Sequence, residues 1–121
     1  MKYFDASEFI CKCGRAECDA LKKISPVLEQ KLDALRARLH RPLVVTSGLR
    51  CEYWNAKVGG VLPSAHVSGT AVDLACSTSR ERFELASAAL AVGFLRFGVK
   101  KGMFHVDVSA QHPQYVFWLY D

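Results

Sequence analysis

One acidic residue inside an apolar run constrains the fold of this 121-residue chain more than any other feature. The run 70–75 reads Thr-Ala-Val-Asp-Leu-Ala, and its length and β-branched residues predict a buried strand. Asp73 lies in the middle of this run. Because an ionised carboxylate is costly to bury without a partner, the fold must bring a cation or hydrogen-bond donors to this strand.

His105 raises the same problem in a second apolar segment, between Phe104 and Val106. Asp107 is expected to share its face, because side chains alternate along a strand. Another polar residue, His66, precedes the acidic strand. Two imidazoles and one carboxylate leave the fourth position of a catalytic zinc site open for water. A metal-free set of buried histidine–aspartate hydrogen bonds would satisfy the same side chains and stays open at this point.

The remaining pattern predicts alternating helices and strands. Leucines recur every three or four residues after Ser25 and Pro26, which suit the start of a helix; they are Leu28, Leu32, Leu35 and Leu39. A second long helix, capped by Ser77 or Ser79, is expected to bury Phe83, Leu85, Ala86, Ala89 and Leu90. A short helix is predicted at 52–57, and strands at 42–47, 70–75, 94–99, 103–109 and 114–119.

These elements predict an α+β protein with a small antiparallel sheet flanked by helices, because short turns between the last strands favour antiparallel pairing. We expect one domain over 1–121, with an irregular cysteine-containing arm at 1–20. The positive charges behind the net charge of +4 are dispersed, which argues against nucleic-acid binding. No segment reaches the ~20 apolar residues of a membrane span. The N-terminus lacks the apolar core of a signal peptide, so we expect synthesis in the cytoplasm. We also expect a monomer.

The five cysteines do not suggest a complete disulfide framework, since their number is odd and no signal precedes them. Cys11, Cys13 and Cys18 are clustered in sequence. With Cys51 they could form a four-thiolate zinc site, although their spacing is not the usual C-x-x-C pair. The preferred interpretation is reduced, partly buried thiols, with a metal site or a disulfide as the alternative. Cys76 follows an apolar run and is interpreted as a core thiol.

The segment 64–73 adds a specific resemblance. It reads Ser-Ala-His-Val-Ser-Gly-Thr-Ala-Val-Asp and matches S-x-H-x-x-G-x-A-x-D at every fixed position. This pattern is the signature of the zinc D-Ala-D-Ala carboxypeptidase family, which includes phage endolysins and vancomycin-resistance dipeptidases. Segments 46–50, 53–55 and 104–108 also resemble the family, as does the Phe-x-Cys-Lys-Cys-Gly start near residue 9. The resemblance covers most of the chain and implies the hedgehog/DD-peptidase fold.

The resemblance implies that His66, Asp73 and His105 bind one zinc ion. It also implies that Arg50 binds substrate, through a guanidinium that faces a carboxylate or carbonyl of the peptide. Ser64 is expected to support the site by a hydrogen bond to substrate or backbone, with a simple loop hydroxyl as the alternative.

The general base is less clear from the resemblance. Many family members carry Glu or Asp three residues before the last histidine ligand, where this chain has Gly102. Asp107 is the natural substitute as the acceptor of a water proton, and the alternative is a carboxylate that orients the histidine. His112 could instead stabilise the oxyanion or shuttle a proton. Tyr115 and Trp118 are expected to close the core or line the groove.

The expected function is zinc-dependent hydrolysis of amide bonds in peptidoglycan peptides. Three cuts compete: removal of terminal D-Ala, cleavage of D,D cross-links, and cleavage of the L-Ala–D-Glu bond as in some phage lysins. The absent signal suits a phage or prophage lysin that reaches the cell wall through a holin. The alternative is a non-catalytic zinc-containing binding module, as in hedgehog signalling domains, and the glycine at position 102 favours it.

Overall fold

The computed structural model describes residues 1–120, and each predicted helix and strand has a counterpart in it. In chain order the elements are α1 (Pro26–Leu39), β1 (Val45–Ser47), α2 (Glu52–Lys57), β2 (Ala71–Cys76), α3 (Ser79–Ala91), β3 (Arg96–Lys100), β4 (Gly102–Asp107) and β5 (Val116–Leu119). One turn of 3-10 helix, Ala6–Phe9, lies within the N-terminal arm. The predicted α+β class is confirmed. No helix among residues 1–120 is both long and apolar enough to cross a membrane.

The five strands form one sheet in the order β1-β2-β4-β3-β5. Neighbouring strands are antiparallel except for β3 and β5, which run parallel. The expectation of antiparallel pairing is therefore confirmed for the β3–β4 hairpin and wrong for β5. Strand β4 already pairs with β2 on one side and β3 on the other, and β5 joins the sheet at the edge of β3, not at the opposite edge formed by β1.

Helix α1 begins and packs as its sequence predicts. The Ser25 side chain accepts a hydrogen bond from the Leu28 amide, and Pro26 occupies the first turn. The leucines at 28, 32 and 35 are fully buried.

Two details of helix α3 differ from the prediction. Its cap is Thr78, which forms a capping box with Glu81, and not Ser77 or Ser79. On its predicted buried face Phe83 and Leu90 are exposed, whereas Ala88 joins the core with Leu85 and Ala89. A short sheet covers only a narrow strip of the helix, so the edges of the predicted apolar face stay in solvent.

Side chains alternate between the two faces of the sheet along β2 and β4, so core residues lie on one face and site residues on the other. One face of β2 and β4 contributes to the hydrophobic core under the helices; its side chains are Val72, Leu74, Cys76, Phe104 and Val106. The core position predicted for Cys76 is confirmed. The opposite face carries Asp73 on β2 and both His105 and Asp107 on β4. The sheet therefore holds the polar residues on one rigid surface, on the side opposite the core helices α1 and α3.

Candidate metal centre

Three of the predicted site residues converge on the open face of the sheet. Asp73 and His105 are direct partners in the β2–β4 register, and His66 approaches from the loop before β2. Asp73 Oδ1 lies 2.8 Å from His105 Nδ1 and 3.3 Å from His66 Nε2. One ligand atom from each residue lies within 4.8 Å of the other two. The structure thus brings together the set that the sequence predicts.

The second nitrogen of each imidazole is held by an oxygen. His66 Nδ1 donates to the Gly48 carbonyl at 2.8 Å, and His105 Nε2 donates to Asp107 Oδ2 at 2.7 Å. Histidine ligands of metal ions are oriented in this way, with the remaining ring N–H bound to a carbonyl or carboxylate. Both rings are therefore turned so that their other nitrogen faces the shared Asp73 oxygen.

The contact between His66 Nε2 and Asp73 Oδ1 requires a proton or a metal ion between the two atoms. With its Nδ1 proton on Gly48, a neutral His66 presents an Nε2 lone pair to an oxygen that also has only lone pairs. A proton or a metal ion must lie between the two atoms. Zinc at ~2.0–2.2 Å from its nitrogen and oxygen ligands separates them by about 3.3–3.5 Å in a tetrahedron, close to the observed distance. The residues present therefore fit a zinc ion.

Electrostatics favour an ionised carboxylate at Asp73. Its burial raises the pKa, but the hydrogen bond from His105 and the neighbouring His66 imidazole outweigh burial and leave the pKa well below its usual range. Asp73 Oδ2, which faces away from the imidazoles, accepts a hydrogen bond from Arg50 at 3.3 Å. One carboxylate thus links the two histidines to an arginine.

Arg50 is held by three polar side chains. Its Nε donates to Ser47 Oγ at 3.1 Å, one terminal nitrogen donates to Asn55 Oδ1 at 3.1 Å, and the other contacts Asp73. Asn55, in the second half of α2, is almost fully buried and also accepts a hydrogen bond from Ser64 Oγ at 3.1 Å. Ser64 and Arg50 are therefore neighbours across one amide oxygen. Three of the five N–H groups of Arg50 are occupied by these contacts, which leaves two for a substrate oxygen.

Asp107 is positioned on the far side of His105 from Asp73. Besides His105, it accepts hydrogen bonds from Arg96 Nε at 2.7 Å and from the Ser109 amide at 3.1 Å. Only 1% of its surface is exposed. Burial raises its pKa, but the hydrogen bonds from His105 and Arg96 lower it further than burial raises it, so the carboxylate is ionised. The expected shared face with His105 is confirmed.

A cavity of about 510 Å³ opens above the three converging side chains. Its wall includes all the predicted site residues together with His112, Trp118 and Tyr120. His112 bridges Ser109 Oγ at 2.7 Å and the Pro63 carbonyl at 3.0 Å, so it ties the last loop to the loop before His66. Burial raises the pKa of Tyr120 to about 12. The volume lies in the range of sites that bind small molecules or short peptides.

The aromatic predictions have different outcomes. Trp118 lines the cavity, and its ring lies 5.4 Å from the His105 ring between centroids. Tyr115 is 84% exposed and is absent from the wall of this cavity, so neither role predicted for it is correct. It directly precedes β5 and has a positive φ of 62°.

Sequence reasoning missed two buried residues that support the site. Asn55 holds Arg50 and Ser64, and Arg96 holds Asp107 and the Pro113 carbonyl. A signal for Arg96 was present, because a cation at the start of an apolar strand needs a partner just as Asp73 does. Asn55 lies in a short helix with no such contrast, and its burial depends on the loop that folds over it.

The fold and the site define a small α+β domain with a candidate His-Asp-His metal centre at the floor of an open cavity. The chain matches the family model described as Peptidase M15 over residues 2–109. It therefore belongs to the peptidase M15 family, the zinc D-Ala-D-Ala carboxypeptidase family, and the resemblance stated from its motifs is confirmed. Comparison with curated proteins gives no match to this chain.

Proposed function

We propose that the chain is a zinc-dependent peptidase that hydrolyses amide bonds in the stem peptides or cross-links of peptidoglycan. His66 Nε2, Asp73 Oδ1 and His105 Nδ1 would hold the ion. The observation that carries this proposal is their convergence beneath an open cavity, with the other nitrogen of each imidazole already bound to an oxygen. Membership of the peptidase M15 family agrees with it.

When bound, zinc supplies a Lewis acid that polarises the scissile carbonyl and acidifies a water molecule. The side chains of the protein position the substrate. Arg50, fixed by Ser47, Asn55 and Asp73, presents its remaining N–H groups to a carboxylate or carbonyl of the peptide. Ser64, which donates to the same amide oxygen as Arg50, supports this arrangement and can contact the peptide at the cavity wall. Both residues thereby bind substrate and do not handle the proton.

The charge of the cavity suits an anionic peptide. Its wall contains three cations, Arg50, Arg96 and Lys100, against two carboxylates, Asp73 and Asp107. Arg50 pairs with Asp73 and Arg96 with Asp107, so the excess positive charge corresponds to Lys100. Stem peptides of peptidoglycan end in carboxylates, which such a surface attracts. Cell-wall peptides lie outside the cytoplasmic membrane, so this function requires the protein to reach the wall, for example through a holin.

Two roles remain for Asp107, and the contacts favour orientation over proton transfer. Its oxygens already accept from His105, Arg96 and Ser109, and it is almost fully buried. These are the contacts of a carboxylate that fixes the ring of a metal ligand. The general-base role stays a prediction that requires Asp107 to reach a water proton at the cavity floor.

Peptidoglycan hydrolysis with defined metal content tests the proposed function. A gel with embedded peptidoglycan should clear around the zinc-loaded protein, and chelation should abolish clearing until zinc is restored. His66→Ala should not clear, whereas Cys76→Ala, which changes a buried cysteine on the other face of the sheet, should clear. Mass spectrometry of the digested muropeptides then identifies the bond among the three candidate cuts.

A non-catalytic zinc-binding module is the second candidate, and one observation favours it. Asp73 and Asp107 are the only acidic side chains in the cavity wall formed by the described residues, and both are engaged. No clearing in any metal condition, with one zinc ion still bound at His66, Asp73 and His105, would contradict the peptidase and support the binding module.

A further inference from the structure

A second group of metal-ligand residues lies outside the cavity. The structure brings together the sulfurs of Cys11, Cys13 and Cys18 from the N-terminal arm and of Cys51 from the start of α2, all within 4.8 Å of one another. The four cysteines are free thiols, Cys51 buried and the other three half-buried. We propose that these four cysteines bind a structural zinc ion, separate from the ion at His66, Asp73 and His105.

The spacing of the sulfurs fits a tetrahedral site. With Zn–S bonds of ~2.3 Å, the sulfurs of a tetrahedron are about 3.8 Å apart. Cys11 Sγ and Cys51 Sγ lie 3.7 Å apart, although the residues are forty positions apart in sequence. Four cysteines are also the complete ligand set of a closed structural site, which needs no water. The cluster therefore has the ligand number, ligand type and size that zinc requires.

Backbone amides point at the sulfurs, as they do around thiolates. The Arg15 amide donates to Cys13 Sγ, the Cys51 amide to Cys11 Sγ, and the Trp54 amide to Cys51 Sγ, each at 3.4 Å. Hydrogen bonds of this kind orient metal ligands and stabilise their charge. Gly14, at a φ of 70°, allows the tight turn that directs Cys13 and Cys18 to the same point.

A disulfide is a weaker explanation of the same cluster. One disulfide would leave two sulfurs unpaired within the same small volume, and two disulfides would divide the cluster into separate pairs, whereas all four cysteines are free thiols that lie within 4.8 Å of one another. A divalent cation uses all four equally. Soft thiolates also select zinc over the hard cations that carboxylates prefer, so the two proposed sites differ clearly in ligand chemistry.

The position of the cluster indicates what the ion does. It joins the N-terminal arm to the segment that precedes α2, and Cys51 directly follows Arg50. The arm is otherwise held there by few polar contacts, among them the Leu49 amide on the Phe9 carbonyl and Lys12 Nζ on the Thr46 carbonyl, each at 2.8 Å. A structural zinc ion adds its binding free energy to folding. It thereby fixes the backbone that carries Arg50 at the cavity.

Metal counting on matched variants tests this site without reference to activity. The zinc-loaded chain should contain two ions, Cys13→Ser and Cys18→Ser one each, and His66→Ala one. Cys76→Ala should keep both, because this cysteine lies in the core and not in the cluster. One ion in the unsubstituted protein, unchanged by Cys13→Ser, would overturn the proposal while leaving the His66 site intact.

Spectroscopy on the unsubstituted protein avoids the risk that a variant fails to fold. X-ray absorption at the zinc edge should require sulfur neighbours at ~2.3 Å together with nitrogen and oxygen neighbours at ~2.0–2.2 Å. Cobalt in place of zinc should give thiolate-to-metal charge-transfer bands, which should persist in His66→Ala and disappear in Cys13→Ser. Absence of sulfur neighbours, or a mass decrease that reveals a disulfide among the four cysteines, would overturn the proposal.

Discussion

Asp73 on β2 and His105 on β4 face each other directly across the sheet, and the carboxylate accepts the His105 Nδ1 proton at 2.8 Å. The other nitrogen, Nε2, donates to Asp107 at 2.7 Å. Since both acceptors are ionised carboxylates, the metal-free ring carries a proton on each nitrogen. Burial lowers the pKa of His105, but the hydrogen bonds to Asp107 and Asp73 outweigh burial and raise it above its ordinary value. A metal ion can bind Nδ1 only after the Nδ1 proton leaves.

Zinc binding at this site should therefore release a proton at neutral pH. Because the pKa of His105 is raised, the imidazolium persists above pH ~6.5, and zinc affinity should decrease as the pH falls. Calorimetric titration in buffers of different ionisation enthalpy measures the proton count. Cys13→Ser is the appropriate background, because thiols also release protons on metal binding. Zinc uptake without proton release at pH 7 would show that the metal-free His105 is neutral.

Arg50→Lys should separate substrate binding from metal binding. Lysine keeps the positive charge but loses the planar fork that contacts Ser47, Asn55 and Asp73 together. Loss of one charge-assisted hydrogen bond to substrate, worth about 1.5–3 kcal/mol, corresponds to a decrease in kcat/KM of about 10- to 150-fold. Steady-state kinetics on a purified muropeptide measures this value, with zinc content measured in parallel.

The matched control for this variant is Arg80→Lys, which changes an exposed arginine on α3 and should keep normal kinetics. An Arg50→Lys enzyme with unchanged kcat/KM and full zinc content would remove Arg50 from the substrate site.

Asp107→Asn distinguishes the two roles of this carboxylate. If Asp107 orients His105, the variant should bind zinc about 10- to 100-fold more weakly, and most turnover should return when zinc is saturating. The low-pH limb of the rate profile should stay in place. Metal titration followed by kinetics at saturating zinc measures both quantities. Full zinc affinity combined with loss of kcat and of the low-pH limb would instead identify Asp107 as the general base.

The strand residues of the site were predictable because each one contrasts with its neighbours. Asp73 and His105 interrupt buried apolar strands, and the period of two then places Asp107 beside His105. The register that makes Asp73 and His105 direct partners was not predictable, since an antiparallel offset shifted by two residues would leave the same residues on the same face. The hydrogen bond between Arg50 and Asn55 could not be predicted from the sequence either. It depends on how the loop closes over α2, which no periodicity encodes.

Strand β5 and the cysteine cluster show a further limit of prediction from the sequence. Pairing of β5 with β3 depends on which of the two free sheet edges, β1 or β3, the strand reaches, a property of the whole fold and not of the strand. In the same way, the spacing of Cys11, Cys13 and Cys18 gives no recognised pair, and their convergence on Cys51 becomes visible only when the arm is folded against α2.

The metal-free protein should lose stability steeply in acid. The folded-state pKa values of Asp73 and Asp107 lie below that of an unfolded aspartate, near 3.9. Such groups stabilise the folded state above the unfolded pKa, and this contribution is lost as the pH falls from about 4 through the folded values. Denaturant unfolding of the chelated protein between pH 7 and pH 2 measures the effect. Asp107→Asn should give a flatter acid limb, whereas Asp19→Asn, an exposed control, should follow the parent curve. Parallel curves for Asp107→Asn and the parent would mean that the Asp107 pairs with Arg96 and His105 contribute nothing to the acid dependence.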